Sequence, residues 1–310
     1  YHAPFDELLS DGEEEEEEAA EGDAGGDAGE APGALHVCDW CLRCFRRAAQ
    51  HRRHAAEDCA VRCPPGEEVL REPLQGRSHQ FARAMDMAEE SKEAPADDRL
   101  RSVSVWRVDG AEQKVYCRTL CLMAKLFLEH KTLLLDVDDY EFYVLTVNNA
   151  NGAYVAGYFS REKRSVRHNV NCILVFPHFH RLGLGTFLVS VSYALSRADG
   201  HLAGPERPLS NHGARMYKAY WEKAVVKALA ALKATADPPL DVTVDAVSRH
   251  TGMSHADVRS TLHRLPWVTI AGDAEPAPKE NADPKPNAAR TLTPALTPTL
   301  IQTQTPVRRQ

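Results

Sequence analysis

Asn169-Val170-Asn171-Cys172-Ile173-Leu174-Val175-Phe176-Pro177 leads into His180-Arg181-Leu182-Gly183-Leu184-Gly185-Thr186, and Gly204-Pro205-Glu206-Arg207-Pro208-Leu209-Ser210 follows. The first segment is apolar and β-branched, as a buried strand requires. In the second, glycines let the backbone turn tightly and approach a ligand, and N–H groups opening the next helix point at anionic oxygen. Arg181 adds a fixed positive charge. The spacing is neither GxxxxGK[ST] nor GxGxxG, which argues against ATP and NAD and suits a pyrophosphate such as that of coenzyme A. A lone GxG also fits an ordinary helix-opening turn; the strand before it and the amphipathic helix after it favour the ligand. With Cys172 as candidate nucleophile and Glu206 as candidate base, the order points to group transfer on an α/β fold.

Working outward, Leu133–Val137, Tyr140–Val147, Tyr154–Ser160 and Val170–Phe176 read as strands, with a turn at Asn148–Gly152. Val115 to His130 places Leu122, Met123, Leu126 and Phe127 at helical spacing and predicts a buried amphipathic helix. Helices are expected at Leu184–Arg197 and Ala214–Leu232. After Pro238-Pro239, a helix over Thr243–His250 stops at Gly252, and Ser254-x-x-Asp257 reads as a capping box opening another, a helix-turn-helix outline.

The net charge of −7 is uneven: residues 1–34 hold 13 acids and no Lys or Arg, leaving 31 acids and 37 bases beyond. That mildly basic body, net +6, suits an acidic cofactor or a partner containing nucleic acid. Residues 1–34, with six consecutive glutamates, and the Pro/Thr/Ala-rich 271–310 read as disordered. Between them lie a Cys/His/Arg-rich segment (35–71), a polar insertion (72–100), a core (101–235) and the helix-turn-helix (236–270). No run of about 18 apolar residues is present, so no membrane span is expected. No signal peptide is visible, and with Tyr rather than Met first the chain reads as a fragment from which targeting signals can be missing.

Cys38, Cys41, His54 and Cys59 form a C-x2-C-x12-H-x4-C array, within zinc-finger spacing. Four protein ligands leave no open position, so the Zn2+ is expected to be structural and to supply folding energy to a polar segment. Cys44, His51 and Cys63 read as packing or surface residues, His51 being the alternative to His54. Arg43, Arg46, Arg47, Arg52 and Arg53 make the segment basic, either as a solvated face or as DNA-phosphate contacts.

From about Leu35 to Leu265, outside 72–100, the chain resembles the MYST family of histone and protein lysine acetyltransferases. The matching stretches are Cys38-Asp39-Trp40-Cys41-Leu42, Tyr116-Cys117, Cys121 through Leu133, Gly157 through Lys163, and Glu206-Arg207-Pro208-Leu209-Ser210. The resemblance implies a GNAT-like acetyl-CoA-binding core flanked by the zinc finger and the helix-turn-helix, acting on histones of the nucleosome in the nucleus, within a chromatin complex. Glu206 would be the general base and Cys172 a transient acetyl acceptor, with direct attack from a ternary complex as the competing route. Backbone groups around Ile173 and Val175 and of Arg181, Leu182, Gly183, Leu184, Gly185 and Thr186 would bind acetyl-CoA, with Ser210 beside it. Lys131 aligns with the autoacetylated lysine, against an ordinary solvated helix-end lysine. The chain departs from the pattern at His180, Leu182, Thr186, Asn211 and Ala219, and its zinc spacing is one residue longer. The same fold used as a chromatin-binding scaffold is the alternative reading.

Overall fold

A computed structural model describes residues 35–73, 102–128, 131, 135–234, 242–270 and 300–303. The expectations for 1–34 and for most of 72–100 and 271–310 lie outside the described residues. The chain divides into two units, one of residues up to Ser165 with Val170–Leu188, the other of Val166–Asn169 and residues from Val189 onward.

In the first unit, β1 (His36–Val37) pairs with β2 (Cys44–Phe45), and helix α1 (Ala48–Arg53) runs into a π turn at His54–Asp58. A five-stranded antiparallel sheet follows, ordered β3 (Glu67–Pro73), β4 (Ser102–Asp109), β5 (Tyr140–Asn148), β6 (Ala153–Glu162) and β8 (Cys172–Val175). Its centre is apolar: Val105, Phe142, Val144, Leu145, Tyr158 and Phe159 are fully buried. Helix α2 (Lys114–Lys125) adds Cys117, Leu120, Cys121 and Ala124 to that core. The Asn148–Gly152 turn forms as expected, with the Asn149 carboxamide oxygen accepting from Asn151 and Gly152 N–H.

The observed elements depart from the sequence reading in four places. Strands β3 and β4 are absent from the sequence reading. The helix stops at Lys125, so Leu126 and Phe127 fall beyond it and are about half exposed; its buried face is set instead by Tyr116, Cys117, Leu120, Cys121 and Ala124. Of the strand expected at Leu133–Val137, residues 133–134 lie outside the described residues, and 135–137 are not strand but lead into a turn at Asp138–Asp139, closed by Tyr140 N–H donating to the Val137 carbonyl.

The strand expected at Val170–Phe176 is split. At Asn171 the backbone N–H donates to the Ser160 carbonyl and the side-chain oxygen accepts from Glu162 N–H. This separates β7 (His168–Val170), which pairs with β9 (Gly204–Pro205), from β8, which pairs with β6.

Helix α3 (Leu184–Ala198) carries the chain into the second unit, which continues through α4 (Asn211–Ala234), β10 (Val242–Thr243), α5 (Val244–Thr251) and α6 (His255–Leu262). There β11 (Val268–Ile270) and β10 flank β12 (Leu300–Thr303). Tyr193 stacks on Tyr220 and accepts from the Trp221 indole N–H at 2.7 Å. Helices α5 and α6 meet at Gly252, whose φ of 76° is the left-handed ending typical of glycine. The Thr243 and Ser254 hydroxyls cap them, accepting from Ala246 and Asp257 N–H.

Candidate functional site

The Cys/His array converges. The donor atoms of Cys38, Cys41, His54 and Cys59 lie within 4.8 Å of one another. A tetrahedral zinc with bonds of about 2.3 Å places two thiolate sulfurs about 3.8 Å apart; Cys38 and Cys59 Sγ are separated by 3.7 Å, and Cys41 Sγ lies 3.2 Å from His54 Nε2. Three thiols this close cannot all ionise unaided: a hydrogen bond from Cys41 holds Cys38 far below the ordinary thiol range, the same bond pushes Cys41 up, and burial raises Cys59. A divalent cation resolves that conflict by stabilising every thiolate, so the donor set fits zinc. Leu42, at a φ of 61°, turns the knuckle between the ligand pairs. The knuckle is seated on the sheet: the Trp40 ring packs against Tyr154, and the Arg62 guanidinium lies over Trp40 at 4.0 Å. Gly152 passes beneath it, where a Cβ would meet Trp40 Nε1 at 2.6 Å. Cys44 and Cys63 stand outside the four-residue cluster.

On β8, Cys172 is half-buried, and its sulfur lies 3.8 Å from the Tyr158 hydroxyl. The register explains this: Tyr158 is paired with Leu174, two residues along from Cys172 and therefore on the same sheet face. Cys121 of α2 interacts with both Tyr158 and Lys131. Burial pushes the Tyr158 hydroxyl and the Cys121 thiol up, so both stay protonated near neutral pH. Lys131 is only 8% exposed, which overturns its reading as an ordinary solvated lysine.

After β8, a 3₁₀ turn at Pro177–Phe179 precedes the glycine-spaced segment. Arg181 and Gly183 both take positive φ, 63° and 80°. A Cβ on Gly183 would touch nothing within 4 Å, so glycine serves conformation there rather than clearance. Helix α3 opens immediately after, with Leu184 buried, Gly185 and Leu182 half-buried, and Arg181 and Thr186 exposed. The His180 ring donates from Nε2 to the Val175 carbonyl at 2.8 Å. Ile173, like Val175, is half-buried and lies in the β6–β8 ladder.

In the second unit, Glu206 is exposed directly after β9. Ser210 accepts from Gly213 N–H through its hydroxyl at the mouth of α4.

Residues 95–282 match the model described as the MOZ/SAS family. The chain belongs to that family. The resemblance to MYST acetyltransferases is thus borne out. Among curated MOZ/SAS relatives, the histone acetyltransferase Tip60 homolog of Caenorhabditis elegans is 38% identical, over 74% of this chain and 44% of its own length. Histone acetyltransferase MOF of Drosophila melanogaster is 35% identical over 76% of this chain and 24% of its own. Human histone acetyltransferase KAT6A is 33% identical over 77% and 10%. The chain therefore matches less than half the length of each of these relatives.

Against the MOZ/SAS background, the departures acquire physical content. His180 engages a strand carbonyl, and Thr186 leaves an exposed, uncharged position in the first turn of α3. The sequence reading missed Tyr158 and Cys121 as neighbours of Cys172, because only the strand register and the packing of α2 bring them there. No helix among the described residues is long and apolar enough to cross a membrane.

Proposed function

We propose that this chain transfers the acetyl group of acetyl-CoA to lysine side chains on histones. The observation that carries the reading is the unbroken passage from a strand bearing Cys172, through a turn with two left-handed residues, into the 15-residue helix α3. Such a turn directs backbone N–H groups at the helix mouth toward an anion, the requirement for a pyrophosphate. The family's relatives, named as histone acetyltransferases, supply the substrate class.

In this mechanism Glu206 removes a proton from the lysine ammonium, because only the neutral amine is nucleophilic. The amine nitrogen attacks the thioester carbonyl carbon, the tetrahedral adduct collapses, and the C–S bond breaks to release CoA thiolate. In the two-step route Cys172 first takes the acetyl group and then yields it to the amine. The protonated Tyr158 hydroxyl and Cys121 thiol offer hydrogen-bond donors beside that sulfur. Ile173, Val175, Arg181 to Thr186 and Ser210 contact the cofactor in this reading, and Lys131 is the autoacetylated residue. Cys38, Cys41, His54 and Cys59 hold a structural zinc, and the α5–α6 pair acts as the helix-turn-helix flank of a GNAT-like core. The basic finger contacts DNA, and the protein works in the nucleus within a chromatin complex.

The test is transfer of label from acetyl-CoA to histone octamer. Glu206→Gln is expected to slow transfer by roughly 10²–10⁴-fold. A comparable loss in Cys172→Ala selects the two-step route, whereas retention within a few-fold selects direct attack. No transfer to any histone by the unaltered chain sinks the enzyme in favour of a scaffold, a reading that the uncharged Thr186 supports.

A further inference from the structure

The segment bearing Glu206 is fastened on both sides of that residue to one place, the start of α6. Before it, Ala203 bridges to Met253: Ala203 N–H donates to the Gly252 carbonyl, and Ser254 N–H donates to the Ala203 carbonyl, both at 3.0 Å. Gly204 lies so close to Asp257 that an added Cβ would collide with the Asp257 carboxylate. After it, the Arg207 guanidinium donates to Asp257 Oδ1 at 2.5 Å and lies over the Trp221 ring at 5.6 Å. The Asp257 side chain is 7% exposed, and its second oxygen, Oδ2, accepts from the Ser254 hydroxyl at 2.8 Å.

This differs from an ordinary capping box. There the acidic residue three positions into the helix reaches back to the backbone N–H of the cap residue. Here that N–H, on Ser254, is committed to the Ala203 carbonyl. The carboxylate is thereby released from its helical duty and spans Ser254 and Arg207 instead. A buried carboxylate with donors on both oxygens is held in one orientation, and the residue it grips adjoins Glu206.

We propose that Asp257 is a positioning residue for the transfer reaction, acting through Arg207 to aim the Glu206 carboxylate. The inference rests on Glu206 being the base. Misplacement of a catalytic group by about 1 Å can reduce a rate by about 100-fold, so a clamp on the neighbouring residue belongs to the catalytic geometry although it touches no substrate.

The test uses the whole chain and compares Asp257→Asn, Arg207→Gln, Thr243→Ala and Glu206→Gln. Thr243→Ala removes the α5 cap and loosens the helix pair without touching the Asp257–Arg207 bond. Arg207→Gln breaks the same bond from its exposed end, so it decides the question should Asp257→Asn fail to fold. The expected result is a loss of about tenfold or more in kcat for both clamp variants. KM for acetyl-CoA and histone should stay within about twofold. The double clamp variant should be no slower than the slower single, and neither change should slow Glu206→Gln further. Thr243→Ala lowers Tm and keeps kcat. Unaltered kcat in the clamp variants, an equal loss in Thr243→Ala, or the same fold-loss on the Glu206→Gln background overturns the proposal. Full activity in Glu206→Gln overturns the base assignment and this inference together. A slow Glu206→Gln with unaffected clamp variants removes the inference alone.

Discussion

The metal-ligand finger and the α5–α6 pair are both small, polar additions, yet they are held together by different physics. The finger has two two-residue strands and a six-residue helix without a buried side chain, and its core cluster is Cys38, Trp40 and Cys59 with a few half-buried neighbours. The helix pair buries Val244, Val247, Met253, Val258 and Leu262, each 4% exposed or less, and caps both helices with hydroxyls. On the zinc reading, one piece concentrates its cohesion in four donor atoms; the other spreads it over apolar contacts and backbone hydrogen bonds. Packing can fail gradually, whereas a ligand set fails as a unit.

The sharpest way to break this contrast is a strong chelator. It should unfold residues 35–66 and leave α5 and α6 intact by hydrogen exchange, since structural zinc sites supply on the order of 10 kcal/mol. A finger still protected under chelation would mean that its small core suffices. Next in size, Leu262→Ala should lower stability by roughly 2–5 kcal/mol in denaturant titration, the range for a fully buried leucine. Gly252→Ala should follow at about 1–2 kcal/mol for the left-handed backbone, increased by the close approach of its Cβ to Arg197 Cγ at 3.0 Å and the Tyr193 carbonyl at 3.1 Å. Thr243→Ala, which removes a single cap, should cost about 1 kcal/mol. If the order of the last two were reversed, capping rather than backbone conformation would dominate the pair.

What the sequence disclosed follows the same division. Ligand spacing is local and specific, so Cys38, Cys41, His54 and Cys59 were legible from residue order alone. Helix punctuation was legible too: Gly252 ends α5, and Ser254 with Asp257 opens α6. The Asp257 bond to Arg207, 50 residues away, was not, because a capping box predicts a local partner. Strand β3 escaped because Glu67-Glu68-Val69-Leu70-Arg71-Glu72, which among the described residues pairs only with β4, is mostly exposed and so shows little apolar alternation. Leu126 and Phe127 misled in the opposite direction, since apolar residues at helical spacing predict burial only while the helix continues. Around Cys172, the candidate nucleophile could be picked out by residue type, but its neighbours depended on β6–β8 register.

Pro73 is paired with Ser102 across the β3–β4 ladder. That pairing brings the two ends of residues 74–101 together irrespective of what lies between them. Closing entropy rises only logarithmically with length, so doubling that segment would cost about 0.6 kcal/mol. The β3–β4 junction is therefore a graft point: an inserted tag, or an entire folded module with closely spaced termini, can be carried there while the strand pairing around it keeps its register.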